Sequence, residues 1–590
     1  MTSSTSLSRP PRWIFPALAL CVLVSMGLSL AGGFVWDDRP LILENPLVQD
    51  LSRTPELIGR GFWESDDGHD RFRSFFRPVV SATYAIDYAL WGTNAAGFHA
   101  TNLLMHLLIS WLVFRIGWGE GFGLRGSFVA AALFAVHPVH VESVAWISGR
   151  TDLTATLFAL LSFLAFRNKR LVVAMLLFFV ALCSKESVVV LPPLAIVYLW
   201  VHRRPAWWHA VVPFGVASFA YAIVRSLALG GEAAPLYTLD VASWTATGLF
   251  VFARYMTLWL LPIGLDAHYP YGALSGWTDP RAWIGVAMVV TLLAIVWKTR
   301  ERRPQWWIWL AWGVLGLGPV FAFGRFGDIL LADRFLYLPS VGLALLAGIA
   351  AARWSMPKVG TAVVALLLVG LSVLSIAQTR IWSSDYRLFS SMVETSPNSA
   401  LVHNNLGLAF YHRGELRSAK DHFLRAVELT PSYAMAHNNL AAAFHRSGEI
   451  DRALAHYARA LEEAPGLMMA GANRGHLLVE SGRVDDGLKL LRKTESLHPR
   501  SKQALYALAD GLLLADRAHE AVPVLERLAK IDPNYVDGHY LRGKVFAAQQ
   551  RMPEAAEEMR RFLDAARGEG EAQGRRVDLA RRIIAEASAA

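Results

Sequence analysis

Cysteine is nearly absent from this 590-residue chain. The two that occur, Cys21 and Cys183, lie inside apolar runs, so no disulfide framework can stabilise an external domain. Lysine is missing from residues 34–97, which hold ten acidic residues and six arginines. Without disulfides, stability must come from packing. The basic residues behind the net charge of +9 lie mainly in short loops between apolar runs.

Apolar residues are in excess: 54% of the sequence is hydrophobic and the mean hydropathy is +0.33. This composition predicts a membrane protein. The placement of the basic residues in short loops follows the positive-inside rule and argues against nucleic-acid binding. The apolar stretch from Trp13 to Gly33 follows Arg9 and Arg12 without a cleavage pattern after it, which predicts an uncleaved first transmembrane helix.

Residues 1–380 are predicted to be an all-α polytopic transmembrane bundle of 11–12 membrane segments. Its twelve apolar runs are residues 13–33, 98–116, 126–142, 152–166, 171–183, 187–201, 208–228, 244–262, 282–297, 306–322, 332–352 and 358–377. The basic loops mark the cytoplasmic side, so residues 34–97 form the first external loop. Loop parity then makes residues 244–262 a re-entrant or paired segment, and eleven crossings place everything after Ala377 outside the cytoplasm.

The C-terminal third repeats itself. Prolines stand 34 residues apart at Pro397, Pro431, Pro465, Pro499 and Pro533. This period is typical of tetratricopeptide repeats, in which pairs of helices stack into an α-solenoid. Glycines recur at the turn within each pair, at Gly414, Gly448 and Gly482. We predict a connecting helix over 381–397, five repeats over 398–567 and a capping helix over 568–590. The concave face suits an extended polypeptide or a partner helix; a spacer or an assembly surface without substrate contact is the alternative.

Two adjacent carboxylates, Asp37 and Asp38, follow directly on the first helix. Transfer of a sugar from a phosphate-linked lipid to a hydroxyl needs a base that takes the acceptor proton. A carboxylate just outside the bilayer stands where the lipid phosphate would lie. The alternative is that the two acids only anchor the helix end among the headgroups.

Arginines lie among aromatic residues in the same loop, at Arg71, Arg73 and Arg77. Guanidinium groups match a phosphate or pyrophosphate with paired hydrogen bonds. An interfacial anchor is the alternative interpretation, because basic and aromatic side chains also collect at membrane surfaces.

A third cluster lies in a short connection between two apolar runs and contains His137, His140, Glu142, Arg150 and Asp152. Ionisable groups at this depth are costly and indicate function. The first three can hold a divalent cation or hydrogen-bond a sugar or carboxylate, and their spacing lacks the regularity of a known zinc motif.

Two pairs of adjacent opposite charges follow, Lys185–Glu186 and Asp333–Arg334. Each is interpreted as a simple ion pair. Arg334 is equally suited to meet a phosphate.

Six stretches resemble, in the same order, the transmembrane and tetratricopeptide-repeat O-mannosyltransferase family and its bacterial relatives. They are FVWDD (34–38), FFRPV (75–79), FHATNLLMHLL (98–108), HPVHVESVAWISGRTDL (137–153), SKES (184–187) and ADRFLYLPSVG (332–342). With the repeats after them, they extend the resemblance over nearly the whole chain.

This resemblance implies a GT-C fold whose active site opens to the non-cytoplasmic side. It also implies a polyprenyl-phosphate sugar as donor, with mannose or a similar sugar, and a Ser or Thr hydroxyl of a protein as acceptor. Carried over by position, it makes Asp37 and Asp38 the catalytic element and Arg77, Arg150 and Arg334 ligands of the donor phosphate. Residues expected at the site wall are His99, His137, His140, Glu142, Asp152, Lys185, Glu186 and Asp333. It leaves the need for a divalent cation open.

The alanine- and arginine-rich sequence, its short loops and the lack of an endoplasmic-reticulum retention tail favour a bacterial inner membrane, with the repeats periplasmic or extracellular. Two other functions stay open. One is transfer to an envelope glycan or lipid, with the repeats recruiting partner proteins. The other is a non-catalytic membrane scaffold, in which losing both Asp37 and Asp38 would change nothing.

Overall fold

The computed structural model describes residues 10–63, 75–203, 207–230, 238–299, 306–322, 330–354, 357–566 and 574–589. Across these ranges the regular structure is helical and contains no strand, which confirms the all-α prediction. The chain divides into two compact units, the first reaching to Ser396 and the second beginning at Pro397. Arg71 and Arg73 lie outside the described residues.

The first unit contains sixteen α-helices in its described residues. They are α1 (Ile14–Met26), α2 (Pro46–Gln49), α3 (Pro78–Trp91), α4 (Ala95–Gly119), α5 (Gly123–Val136), α6 (Val141–Ala145), α7 (Arg150–Arg167), α8 (Leu171–Leu182), α9 (Leu191–Val201), α10 (Trp207–Leu229), α11 (Val241–Leu260), α12 (Pro280–Thr299), α13 (Trp306–Gly316), α14 (Tyr337–Ala352), α15 (Pro357–Ile381) and α16 (Asp385–Thr395). Each of the twelve apolar runs of the sequence overlaps at least one of them, and the run 126–142 is divided between α5 and α6.

Short 3₁₀ segments join several of these helices. They are Gly27–Ala31, Leu51–Gly59, Pro138–His140, Ile147–Gly149, Glu186–Val190, Gly318–Phe321 and Asp333–Leu336, and a π-helical turn covers Arg39–Leu43. Two of them, Pro138–His140 and Ile147–Gly149, flank α6 in the 137–153 connection, which carries the third cluster of ionisable residues.

Several helices of this unit suit a membrane. Within the described residues, five are long and apolar enough to cross one: Ile14–Ala31, Ala95–Gly119, Ala210–Leu229, Asp333–Ala352 and Lys358–Ile381. A sixth arises if α5 and α6, bent by 53° at His137, count as one span. The sequence predicted 11–12 segments, and the number is smaller here because the remaining apolar helices are short or carry charges. Residues 244–262, expected to be a re-entrant or paired segment, lie mostly in the unbroken helix α11, whereas a break at His137 separates α5 from α6.

Small residues bring the central helices together. Gly126 of α5 faces Gly348 of α14, and a Cβ added at Gly348 would stand 2.5 Å from the Gly126 carbonyl oxygen. A Cβ at Gly342 would stand 2.3 Å from the Trp309 carbonyl oxygen on α13. Membrane helices lack a hydrophobic driving force between them, so such close backbone approach supplies the packing energy.

The segment between α1 and α4, predicted only as an external loop, is folded. It contains α2, α3 and the π-helical turn, and it has a core of its own made by Leu41, Ile42, Val48, Phe62, Val80, Tyr84, Phe98 and Ile147. Because that core includes residues of α4 and of the 137–153 connection, the loop is anchored against the elements that carry the other candidate site residues.

The second unit is built of helix pairs. Its helices are α17 (Ala400–His412), α18 (Leu416–Leu429), α19 (Ala434–Arg446), α20 (Ile450–Glu463), α21 (Met468–Glu480), α22 (Val484–Leu497), α23 (Lys502–Leu514), α24 (Ala518–Ile531), α25 (Val536–Ala548), α26 (Met552–Ala565) and α27 (Gly574–Ala589). The last packs on α25 and α26 through Ala580 and Ile583.

Each pair turns through a residue in the left-handed conformation. The φ angles are +79° at Gly414, +79° at Gly448 and +83° at Gly482, as the recurring glycines predicted. Asp516 and Gln550 take the same place in the last two pairs, with φ of 59° and 60°. Within pairs the helices approach closely, since a Cβ at Gly407 would meet the Phe423 ring at 2.7 Å.

Candidate functional site

The acidic pair lies in a tight turn that separates its two carboxylates. Asp38 is fully buried. Its Oδ2 accepts the backbone N–H of Val35 at 2.9 Å, and its Oδ1 accepts the backbone N–H and the hydroxyl of Ser148 at 2.8 and 2.5 Å. Burial raises the pKa of Asp38 to about 7, although these hydrogen bonds lower it. Asp38 therefore fixes the turn to the 137–153 connection.

Asp37 is only half-buried. Its carboxylate is one of the negative charges that act on the Arg334 guanidinium. The residue before it, Trp36, has a φ of 55°, a left-handed conformation that costs a non-glycine residue about 1–3 kcal/mol and often occurs at functional sites. The turn thus presents Asp37 while it holds Asp38 inside.

Arg334 is held by Glu142. The buried Glu142 carboxylate accepts the Arg334 backbone N–H at 2.8 Å and also the Arg334 guanidinium. The guanidinium lies 5.6 Å from the centroid of the Trp146 ring, and Trp146 stacks on Trp36 at 5.7 Å. One indole therefore connects the arginine with the acidic turn.

Lys185 lies beside Arg334. Its Nζ donates to both oxygens of Asp152 at 2.6 and 2.7 Å. It also lies 5.3 Å from the centroid of the Phe335 ring, which the Arg334 guanidinium approaches at 5.1 Å. Two cations share one aromatic ring, and Asp152 acts electrostatically on both of them.

Arg77 and Glu186 form the next pair, at 3.8 Å. Tyr221 donates its hydroxyl to Glu186 at 3.2 Å. The Arg77 guanidinium lies 4.5 Å from the centroid of Phe75, and its Nε is buried without a hydrogen-bond partner among the described residues. Three cation–carboxylate pairs therefore stand next to one another: Arg334–Glu142, Lys185–Asp152 and Arg77–Glu186.

The adjacent charges of the sequence take different partners from those predicted. Lys185 pairs with Asp152, and Glu186 pairs with Arg77. Likewise Asp333 accepts the hydroxyl of Tyr269 at 2.6 Å, while its neighbour Arg334 pairs with Glu142. In both cases the backbone at the start of a helix directs the two side chains to different sides.

The Arg150 guanidinium is surrounded by partners from the protein itself. It is fully buried and lies 2.5 Å from Asp87. It also donates to the Asn102 side chain at 2.7 Å and to the Phe98 carbonyl at 3.0 Å. Asn102 in turn binds the carbonyls of the 137–153 connection, including those of Val144 and Trp146. Arg150 therefore ties α3, α4 and this connection together.

Two of the three histidines each bond a backbone carbonyl through one ring nitrogen. His137 Nε2 lies 2.8 Å from the Trp259 carbonyl oxygen, and His140 Nδ1 lies 2.8 Å from that of Phe134. His99 is buried, and a Cβ added at Gly32 would stand 3.2 Å from its Nε2.

Of the three residues considered as ligands of a divalent cation, Glu142 has both oxygens engaged by Arg334. His137 and His140 each bond a backbone carbonyl through one ring nitrogen, an orientation also found in metal-bound histidines, and His140 Nε2 is buried without a hydrogen-bond partner among the described residues. In the part of the chain that the structure describes, no three His, Cys, Asp or Glu side chains converge as metal ligands would.

Sequence reasoning missed three side chains at this site. Ser148 holds Asp38, Trp146 joins the acidic turn to Arg334, and Tyr269 holds Asp333. The first two stand in the WISGR stretch, whose resemblance to the family was the only signal for them. Tyr269 lies between α11 and α12, where no sequence signal marked it.

Comparison with known proteins bears on both units. Residues 404–467, 473–536 and 512–570 match the tetratricopeptide repeat family model. Protein O-mannosyl-transferase F38B6.6 of Caenorhabditis elegans is 26% identical over 431 residues, covering 69% of this chain and 62% of that protein. Protein O-mannosyl-transferase TMTC4 of Homo sapiens is 28% identical over 485 residues, covering 70% and 65%.

The chain is similar to the protein O-mannosyl-transferases. The resemblance drawn from the six motifs is thereby confirmed. A further relative of that name, Tmtc1 of Drosophila melanogaster, is 32% identical over 168 residues, which are 27% of this chain and 20% of that protein. The chain spans less than two thirds of the length of the Caenorhabditis elegans and human protein O-mannosyl-transferases.

Two solved structures resemble part of the chain. A thermophilic TPR protein of Thermus thermophilus is 17% identical, covers 32% of this chain and 100% of its own, and has a TM-score of 0.29. YrrB, a TPR protein with an unusual peptide-binding site, is 20% identical, covers 30% and 91%, and has a TM-score of 0.24.

Proposed function

We propose that this protein is a membrane glycosyltransferase. It moves mannose or a similar sugar from a polyprenyl-phosphate donor to a hydroxyl acceptor, a Ser or Thr of a protein. The observation that carries the proposal is the acidic turn, in which Asp38 is locked and Asp37 stands in the field of Arg334. The names of the relatives support the choice of reaction.

Asp37 is the base of this reaction. It takes the proton of the acceptor hydroxyl as the oxygen forms a bond to the anomeric carbon of the sugar. The bond between that carbon and the lipid phosphate breaks, and the polyprenyl phosphate leaves with the electron pair, so the configuration at the anomeric carbon inverts. Asp38 supplies the rigid turn, since its oxygens are already occupied by Val35 and Ser148.

Arg334, Lys185 and Arg77 are the cations that receive the donor phosphate. Arg334 and Lys185 share the Phe335 ring, and Arg77 keeps an unpartnered buried Nε among the described residues. Preorganised cations stabilise the charge that develops on a leaving phosphate. Arg150 takes no part in this step, because Asp87, Asn102 and the Phe98 carbonyl occupy its guanidinium.

The site works on the non-cytoplasmic face of a bacterial inner membrane, with the repeats on the same side. Tetratricopeptide repeats suit protein–protein interaction, and here they recruit the protein acceptor. The acceptor distinguishes this function from transfer to an envelope glycan or lipid, in which the repeats hold a partner protein instead.

The test is sugar transfer by the purified protein in detergent from radiolabelled polyprenyl-phosphate sugars. Protein, glycan and lipid acceptors are offered side by side. We expect label on protein, lost by at least about 100-fold in Asp37→Asn, since general-base catalysis contributes on the order of 100- to 10,000-fold. Glu44→Gln removes another carboxylate of the same loop, and it serves as the matched control.

The repeats are tested by truncation after Ser396, where the first unit ends. Retained donor hydrolysis with lost protein labelling would assign the acceptor to the repeats. Label on glycan or lipid alone would establish the alternative transferase. No transfer from any donor, with Asp37→Asn/Asp38→Asn cells behaving as wild type, would leave a scaffold without catalysis.

A further inference from the structure

The first residue of α16, Asp385, contacts the acidic turn across 349 positions of sequence. Its Oδ1 accepts the backbone N–H of Trp36 at 2.7 Å. Its Oδ2 lies 3.5 Å from the Nε of Arg39. These two contacts stand on either side of the Asp37–Asp38 pair, so one carboxylate brackets both acids.

The hydrogen bond from the Trp36 N–H to Asp385 gives an acceptor to a backbone donor of the turn. Asp38 N–H bonds back to the Val35 carbonyl at 3.1 Å, and Trp36 between them is left-handed. Its N–H has no acceptor within the turn, and a backbone donor away from water requires one. Asp385 supplies that acceptor.

Asp385 stands at the N-terminus of α16. Ser384 caps α16 by accepting the N–H of Arg387 at 3.4 Å, and Asp385 follows as the first helical residue. A carboxylate at a helix N-terminus is favoured by the unpaired N–H groups there.

Other contacts hold α16 and its approach in the same place. The Ser383 carbonyl accepts the N–H of Gly33 at 3.2 Å. Phe389 packs edge-on against Trp36 at 5.8 Å, and Trp382 stacks on Trp146 at 5.5 Å. The apolar side of α16 therefore faces the acidic turn.

We infer that Asp385 is a positioning residue for the Asp37 base: by accepting the Trp36 N–H it fixes the left-handed turn that presents Asp37. The inference rests on the proposed function for its catalytic consequence. It makes the helix beyond the last apolar helix a part of the catalytic unit, so that a chain ending at Ala377 lacks the acceptor that the turn requires.

The kinetic test uses the full-length protein and the transfer assay described above. Asp385→Ala removes the acceptor, and we expect kcat to fall on the order of 100-fold because a small misplacement of a catalytic group has an effect of that size. The donor KM should stay within about twofold, since a base acts only in the chemical step. Asp385→Asn keeps an oxygen for the Trp36 N–H and should retain most of the activity.

Asp451→Ala is the matched control, because Asp451 is an exposed acid in the first turn of α20. Wild-type kcat in Asp385→Ala, or an equal loss in Asp385→Asn, would overturn the inference. If Asp385→Ala lowers the melting temperature, Asp385→Glu carries the test instead. It keeps the charge at the helix start but displaces the acceptor, and it should show an intermediate kcat.

A readout independent of activity separates this inference from the proposed function. Amide hydrogen exchange of the peptide that contains Trp36 reports directly on the bonded N–H. Because a backbone N–H that loses its acceptor opens more readily, exchange there should rise at least about tenfold in Asp385→Ala. It should stay near wild type in Asp385→Asn and Asp451→Ala. Unchanged exchange in Asp385→Ala would overturn the inference even in an active enzyme, and raised exchange would support it even if the wild type transfers no sugar.

Discussion

Ser148 holds the Asp38 carboxylate by two hydrogen bonds, from its backbone N–H at 2.8 Å and from its hydroxyl at 2.5 Å. The two residues come from different motifs of the sequence, and their contact attaches the acidic turn to the connection between α5 and α7. Asp38 thus serves the fold of the site, and this leads to a pH dependence.

Asp38 should make the folded protein less stable as the pH rises toward neutrality. Its pKa is raised from 3.8 to about 7 in the folded state, so its contribution is present below 3.8 and lost as the pH rises through 7. The slope is at most about 1.4 kcal/mol per pH unit. We expect the melting temperature of wild type relative to Asp38→Asn to fall between pH 5 and pH 8. A difference that is constant with pH would contradict this assignment.

Arg150 should matter for folding and not for donor binding. Arg150→Met leaves Asp87 buried without its cation, which costs about 3–5 kcal/mol. The double variant Asp87→Leu/Arg150→Met should regain part of that loss, because two apolar groups replace a buried ion pair. Thermal unfolding in detergent measures both. Wild-type stability with a raised donor KM in Arg150→Met would instead return Arg150 to the phosphate site.

Glu142 should act through Arg334. In Glu142→Gln an amide NH₂ replaces one carboxylate oxygen. This group faces either the backbone N–H or the guanidinium of Arg334, and that N–H donor then has no acceptor. An unsatisfied buried donor costs about 1–3 kcal/mol, so we expect the donor KM to rise on the order of tenfold. Arg334→Lys should raise it as well, and the double variant should add little, since both act on one contact. Fully additive effects would show that the two residues work separately.

The first two repeats should weaken in acid. His422 and His456 lie with their Nδ1 atoms 3.0 and 3.1 Å from those of His403 and His437. Burial and the neighbouring His403 lower the pKa of His422, and Asp421 opposes that shift. Burial, His437 and Arg452 lower the pKa of His456 to about 4. Histidines with a lowered pKa contribute stability above about pH 6.5 that is lost as the pH falls toward about 4.

Hydrogen exchange of the full-length protein at pH 7 and pH 5 measures this effect repeat by repeat. Helices α17 to α20 should lose protection at pH 5. Helices α21 to α24 have Leu490 and Val524 at the place of these histidines, and the pKa of their His476 is raised by its hydrogen bond to Asp510, so they should not lose protection. The variant His422→Leu/His456→Leu should abolish the difference. A uniform loss over all repeats would contradict the role of the histidine pairs.

The residues of the candidate site could be identified in the sequence where charged side chains stand next to apolar runs. The carboxylates at 37 and 38, the arginine at 334 and the lysine at 185 were found from residue type and position near apolar runs. Their roles were not, because role depends on partners. Adjacent acids look alike in sequence, and only the approach of Ser148 buries one of them.

The sequence by itself determined the helical architecture, the twelve apolar runs and the 34-residue repeat, because hydrophobic runs and periodic prolines and glycines act through local physics. Tertiary structure alone decided which charges pair, since Asp152 with Lys185, Glu142 with Arg334 and Trp36 with Asp385 are contacts between distant segments. Such contacts form only where burial makes an unpaired polar group costly. They place α16 at the acidic turn, and they bury Asp38 while its neighbour Asp37 stays half-buried.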